Sequence, residues 1–92
     1  MEIEQKDNGA KGLFFVEIEG KIVAEMVYSW RGQDRIVIEH TEVDESLEGK
    51  GVGKLLVKKS VEFAREKDIK IIPICSFAKS IFQKTSAYND VL

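Results

Sequence analysis

Residues 45–56 read ESLEGKGVGKLL. Gly49, Gly51 and Gly53 fall at alternate positions, with Lys50 and Lys54 among them, and an apolar run follows at once. Glycine at a helix start costs conformational entropy, so packing alone rarely selects three of them. The flanks explain the placement. Upstream, RIVIEHTEV at 35–43 is rich in β-branched residues and alternates, as a strand does. Downstream, Val52, Leu55, Leu56, Ser60, Phe63 and Ala64 recur at three- and four-residue spacing. That period predicts a helix from about Val52 to about Glu66. The glycines therefore join a strand to a helix. The first turn of a helix has free N–H groups and the positive end of the dipole. With little side-chain bulk in the way, the amides of Gly51, Val52, Gly53 and Lys54 can hold a phosphate, and Lys50 and Lys54 add charge.

Working outward, GLFFVEIEGKIVAEMVYSW at 12–30 reads as a hairpin turning near Gly20, with Ile22–Trp30 the return strand. RGQD at 31–34 is a second turn, and a short strand is expected at EIEQ near the start. After the helix, IKIIPIC at 69–75 is a short apolar strand. Its Pro73 cannot donate to a ladder and marks an edge, a bulge or a break. SFAKSIFQKT reads as a second helix with Ser76 as N-cap, and the tail SAYNDVL is expected to dock on the sheet. The order β-β-β-α-β-α is an α/β (α+β) arrangement: an antiparallel β-meander followed by a βαβ unit with a C-terminal helix. The βαβ unit makes the last two strands parallel.

A chain of 92 residues is expected to form a single domain, 1–92. The apolar runs are too short for a transmembrane helix, and no basic segment followed by an apolar one suggests a signal peptide. A net charge of -2 argues against nucleic acid as a partner, but not against an anionic small molecule held by local lysines. Cys75 is the single cysteine, which excludes an intrachain disulfide or a multi-cysteine metal site. No metal and no membrane are expected, and the compartment expected is a reducing cytoplasm.

Three phosphate loops must be told apart. The Walker loop needs four residues between its glycines and Ser or Thr after the lysine; here Gly49 and Gly53 have three between them, and Leu55 follows Lys54. The dinucleotide fingerprint needs G-x-G-x-x-G, whereas this spacing is G-x-G-x-G. The pattern [Q/R]-x-x-G-x-[G/A], between an antiparallel strand and a helix, is met in its second half by Gly51-Val52-Gly53. Here the chain resembles the GNAT superfamily of acyl-CoA N-acyltransferases. VDESLEGKGVGKLL is similar to its pyrophosphate motif, and PICSFAKSIF and YNDV resemble its short single-domain subfamily, whose fold is a trimmed GNAT fold. The resemblance implies acetyl-CoA as acyl donor and an amine, small molecule or protein lysine, as acceptor. It implies a cofactor site at Val43, Lys50, Gly51, Val52, Gly53 and Lys54. It also implies that the last two parallel strands splay, with the pantetheine arm between them. One departure stands out: Glu48 occupies the position of the usual Gln or Arg.

His40, the single histidine, alternates with Ile36 and Ile38 and is expected to share their face. An imidazole titrating near neutrality suits a general base; the plainer reading is a histidine hydrogen-bonded within the sheet. Cys75 ends a strand ahead of a helix N-terminus, where a thiol can be activated. It would lie near the thioester and can accept an acyl group, line the pocket or simply pack. Because the two residues are on facing strands, a Cys–His pair is conceivable. Glu39 and Glu42 are alternative bases or solvated strand charges, and the Tyr88 phenol can protonate a leaving thiolate or merely pack. Phe77 and the other aromatics read as core or pocket lining. Beside the acetyltransferase reading stands a non-catalytic acetyl-CoA sensor, favoured by Glu48.

Overall fold

Strands with one apolar face and helices with one apolar stripe must bury both against each other. The computed structural model, which describes Met1–Leu92, does so with β1 (Glu4–Asp7), β2 (Lys11–Ile18), β3 (Lys21–Arg31), β4 (Arg35–Val43), α1 (Val52–Lys67), β5 (Lys70–Pro73) and α2 (Ser76–Lys84). Short 3-10 turns occupy Glu45–Leu47 and Ser86–Val91. The sheet order is β1-β2-β3-β4-β5, antiparallel through β4 and parallel between β4 and β5. The meander and the βαβ unit are therefore present as expected. β1 starts two residues later than EIEQ. Glu19 and Gly20 both have positive φ, which a two-residue turn matching the strand twist requires.

One face of the sheet carries Phe14, Met26, Tyr28, Ile36, Ile38 and Ile71, and all the helices bury their stripes on it. α1 contributes Val52, Leu56, Val57, Val61 and Ala64; Leu55, expected on this stripe, is 38% exposed. α2 adds Ala78 and Phe82, and the last 3-10 turn adds Val91. Phe15 and Val37 are buried but lie on the other face, outside this core. No helix covers them.

Three local expectations are revised. The N-cap of α2 is Cys75, not Ser76: Cys75 is extended (φ -63°, ψ 128°) and its carbonyl accepts the first helical bond from Lys79 N–H at 2.9 Å. The tail docks on α1 and α2 rather than on the sheet: Arg65 donates to Asp90 at 2.8 and 3.0 Å and to the Ala87 carbonyl at 2.8 Å. Pro73 marks an edge. Lys70 N–H donates to Asp34 O and Ile74 N–H to Ile38 O, so alternation turns the nitrogens of Ile71 and Pro73 outward, where proline forfeits no ladder bond.

A polar knot ties β1 to β3. Tyr28 donates to Asp7 at 2.5 Å, Trp30 to Asp7 at 2.8 Å and Gln5 to the Tyr28 hydroxyl at 2.8 Å. Burial pushes the Asp7 carboxyl up. Hydrogen bonds from Tyr28, Gly9 N–H and Trp30, with Lys67 nearby, outweigh this and hold it below its ordinary value. Burial, then Asp7, push the Tyr28 phenol upward. A depressed carboxylate adds stability that is present above the ordinary carboxylate range and disappears as pH falls through the folded value. The Tyr28 contribution, being a raised pKa, is full below the ordinary phenol range and declines as pH rises above about 10. Asp7→Asn should therefore lower the melting temperature at neutral pH and flatten its decline below about pH 4. Identical acid slopes for the two proteins in thermal melts would remove Asp7 from the account.

Candidate functional site

The parallel ladder is short. β4 and β5 pair from Arg35–Lys70 to Ile38–Pro73 and then separate. Ile38 O accepts from both Ile74 N–H and Cys75 N–H, each at 3.1 Å, which closes the ladder. β4 continues to Val43 while the segment after β5 turns into α2, leaving a wedge between them.

A β-bulge in β4 determines what faces this wedge. Tyr28 pairs with Ile38, but the next residue back along β3, Val27, pairs with His40, so Glu39 is an extra residue. The in–out alternation inverts beyond it. Thr41 and Val43, rather than His40, continue the face of Ile36 and Ile38, and Val43 packs against the core. Their amides face the wedge as well: Asp44 N–H turns toward β3, donating to Val23 O at 2.8 Å, so the alternate amides of Val43 and Thr41 turn away from β3. The bulge overturns the face expected for His40. His40 is on the helix-free face, 59% exposed in its side chain, with Nε2 3.5 Å from Glu42 Oε2. Val27 and Glu25 are its cross-strand companions.

Cys75 thus meets Thr41, not His40. Its Sγ donates to Thr41 Oγ1 at 3.4 Å across the root of the wedge. Burial pushes the Cys75 thiol up, but the Thr41 hydroxyl and the N–H groups of Ala78, Phe77 and Thr41 outweigh it and hold the thiol below its ordinary value. Although Sγ makes no capping hydrogen bond of full geometry, the first amides of α2 favour its thiolate. Tyr88 stays away from this chemistry. It stacks edge-on against Phe82 and beneath Arg65, thirteen residues along α1 from Val52, about 20 Å at 1.5 Å per residue.

The glycine loop borders the wedge. Gly49 and Gly51 have φ of +78° and +71°, values that favour glycine, and Gly51 is the N-cap of α1. Gly53 serves a different purpose. A Cβ there would lie 2.4 Å from the Phe77 ring, so glycine lets the starts of α1 and α2 meet. The amides of Gly51, Val52, Gly53 and Lys54 have no backbone acceptor. α1 has no side-chain cap and no acidic residue in its first turn. Its positive end is uncompensated, with the exposed Lys50 and Lys54 beside it. Glu48, also exposed, donates its N–H to Glu45 O at 3.1 Å. A neighbouring hollow of about 440 Å³ at the start of β3 and the end of β4 shares Val43 with the wedge; its four carboxylates, Glu25, Glu42, Asp44 and Glu45, outnumber Lys21 and disfavour an anion. No helix is long and apolar enough to cross a membrane.

Thr41 and the bracing role of Phe77 escape a reading by alternation or motif. Only the bulge brings Thr41 to the wedge, and only tertiary packing brings Phe77 to Gly53.

Known proteins match this geometry. The family described as GCN5-related N-acetyl-transferase matches residues 13–91. A GCN5-like putative N-acetyltransferase from Staphylococcus aureus, solved by NMR in solution, is 43% identical with a TM-score of 0.74, over 96% of this chain and 85% of that one. A GNAT family acetyltransferase from Elizabethkingia anophelis, solved with acetyl-CoA bound, shares the fold at 20% identity and a TM-score of 0.59, over 70% of this chain and 42% of that one. Protein NATD1 of Xenopus tropicalis is 33% identical over 52 residues, 56% of this chain. The match spans 48%, about half, of that curated relative.

Proposed function

The chain belongs to the GCN5-related N-acetyltransferase family, and on that premise we propose that it binds acetyl-CoA and moves the acetyl group to an amine. The observation carrying this reading is the wedge between β4 and β5 beside the uncapped start of α1. The amides of Gly51–Lys54 receive the pyrophosphate, helped by Lys50 and Lys54. The pantetheine arm enters the wedge, and the Val43 amide donates to the thioester carbonyl. The core fills one side of the sheet, so the amine approaches from the helix-free side. His40 stands there beside Glu42 and takes the proton, directly or through water. The amine nitrogen bonds to the carbonyl carbon, the C–S bond breaks, and the departing thiolate takes up a proton. Residues 1–92 act as one N-acetyltransferase-like domain, in a reducing cytoplasm suited to the free thiol of Cys75. The acceptor is a small amine or a protein lysine.

Calorimetric titration with acetyl-CoA, with ATP and NAD as controls, tests the cofactor; release of CoA with a panel of amines tests transfer. Failure to bind acetyl-CoA would sink the reading. A second reading, a binding module without turnover, is favoured by the separation of His40 from Thr41 and Cys75. Binding without CoA release from any amine selects it. Acetylation of Cys75 by acetyl-CoA alone would mark a covalent route instead, detected as one added acetyl group in the intact mass. Glu48→Gln should tighten acetyl-CoA binding by roughly 0.2–1 kcal/mol, up to about fivefold and most at low salt, by removing an exposed like charge. Weaker binding by this variant would mean that Glu48 supports the loop.

A further inference from the structure

One strip of the helix-free face carries acid, imidazole and base in order. Along β3 and β4, register places Glu25 directly opposite Glu42, Val27 opposite His40, Ser29 opposite Val37 and Arg31 opposite Arg35. The proposed base thus stands between an acidic rung and a basic one. With β3 as the ruler, the acidic rung is two residues from the level of His40, about 7 Å, and the basic rung four residues the other way, about 14 Å. The acidic zone runs on into the hollow lined by Asp44 and Glu45, while Lys11, opposite Ser29, widens the basic zone. Like charges directly opposite on neighbouring strands destabilise a sheet, and this strip keeps one such pair on each side of His40. Little inside the chain offsets them. Glu25, half-buried, and Arg31 have no ion-pair partner, Arg35 reaches only Asp34 at 3.8 Å, and Glu42 only His40 at 3.5 Å.

We propose, resting on the acetyl-transfer reading, that the acceptor is a lysine in an extended stretch of another polypeptide whose charges complement this strip. Cationic residues lie about two positions to one side of that lysine and acidic residues about four positions to the other. The lysine passes His40 toward the wedge. Its cationic neighbours meet Glu25 and Glu42, and its acidic neighbours meet Arg31 and Arg35, whose guanidinium groups can each grip a carboxylate at two points. No helix covers the strip, so an extended segment can lie along it. A small polyamine would meet the acidic zone alone and has no anionic group for the basic rung. A uniformly basic tail would set cations against Arg31 and Arg35, so the strip selects a bipolar acceptor and rejects a basic one.

Fluorescence anisotropy of labelled synthetic peptides tests this, on the full chain with and without CoA. Three peptides share a central lysine. One is bipolar, with arginines to one side and glutamates to the other at the spacing above; one has arginines on both sides, and one has glutamates on both. Wild-type protein should bind the bipolar peptide at least about tenfold tighter than either of the others, less markedly at high salt. Arg31→Glu should move the preference to the all-arginine peptide, and Glu25→Arg to the all-glutamate peptide. Each variant removes a like-charge pair from its own chain, so its melting temperature should hold or rise, and a switched preference is not what a folding defect produces. Wild-type protein that binds none of the peptides, prefers the all-arginine peptide, or acetylates spermidine but not the bipolar peptide overturns the proposal. So do variants whose preference does not move. Calorimetry with acetyl-CoA keeps the two readings apart: cofactor binding without peptide preference overturns this proposal alone, whereas absence of cofactor binding overturns both.

Discussion

Gly12→Ala is expected to cost at least ~3 kcal/mol and lower the melting temperature by more than ~10 °C, the largest stability loss of any single methyl added to this chain. A Cβ at Gly12 would lie 2.4 Å from both Cζ and Oη of Tyr28 and 2.7 Å from the Lys6 carbonyl oxygen. Neither neighbour can retreat. Tyr28 is fully buried, with its ring packed against Phe14 and Phe63 and its hydroxyl held by Asp7 and Gln5. The Lys6 carbonyl is backbone of the strand paired to β2. Total stability for a chain of this size is roughly 5–14 kcal/mol, so the loss is a substantial share. Gly53→Ala is the control. It too would bring a Cβ to 2.4 Å from an aromatic ring, but Phe77 is 39% exposed and can swing aside. Equal losses in chemical denaturation would show that the freedom of the ring does not decide the cost.

Thr41→Phe should abolish acetyl-CoA binding, with affinity falling at least about 100-fold, or ~2.7 kcal/mol, while the fold persists. Thr41 is half-buried at the root of the wedge, where its hydroxyl meets Cys75. A phenyl ring there stands in the path that the pantetheine arm takes between β4 and β5 beyond their last pair in the proposed complex. Thr41→Ser, which keeps the hydroxyl, should bind within a few-fold of wild type. If Thr41→Phe is folded by circular dichroism and binds acetyl-CoA normally, the arm does not lie between these strands.

Much of the architecture could be read from local pattern. Alternation in LFFVEI and RIVIEHTEV located β2 and β4, and the three- and four-residue spacing after Gly51 located α1 within a residue or two. The glycine loop stood out because three glycines at a helix start conflict with propensity. The bulge did not stand out. Glu39 is no glycine or proline, and nothing local announces an extra residue, yet it reverses the orientation of everything after Ile38. Plain alternation therefore puts His40 on the face of Ile36 and Ile38 and turns Thr41 the other way, the reverse of what the bulge produces. The packing of Phe77 on Gly53 joins residues 24 positions apart and is invisible to any local window. Cys75 became the cap of α2 because the closing of the ladder on Ile38 set where the strand ends, a tertiary effect that outweighs the capping preference of serine.

Pro73 has a consequence for how this chain behaves in a crowd. An open sheet edge is a template on which a stray strand can add, and stacked additions grow into insoluble fibres. The outer edge of β5 can offer one N–H, that of Ile71, before the proline ring interrupts the row. The opposite edge, β1, is four residues long and carries Glu4 and Lys6. A newcomer at either end finds too few bonds to hold it, so the sheet stops at five strands without a covering helix on its flanks. Edge-to-edge growth is closed by chemistry built into two short strands, and the broad face between them stays open to solvent and to the incoming amine.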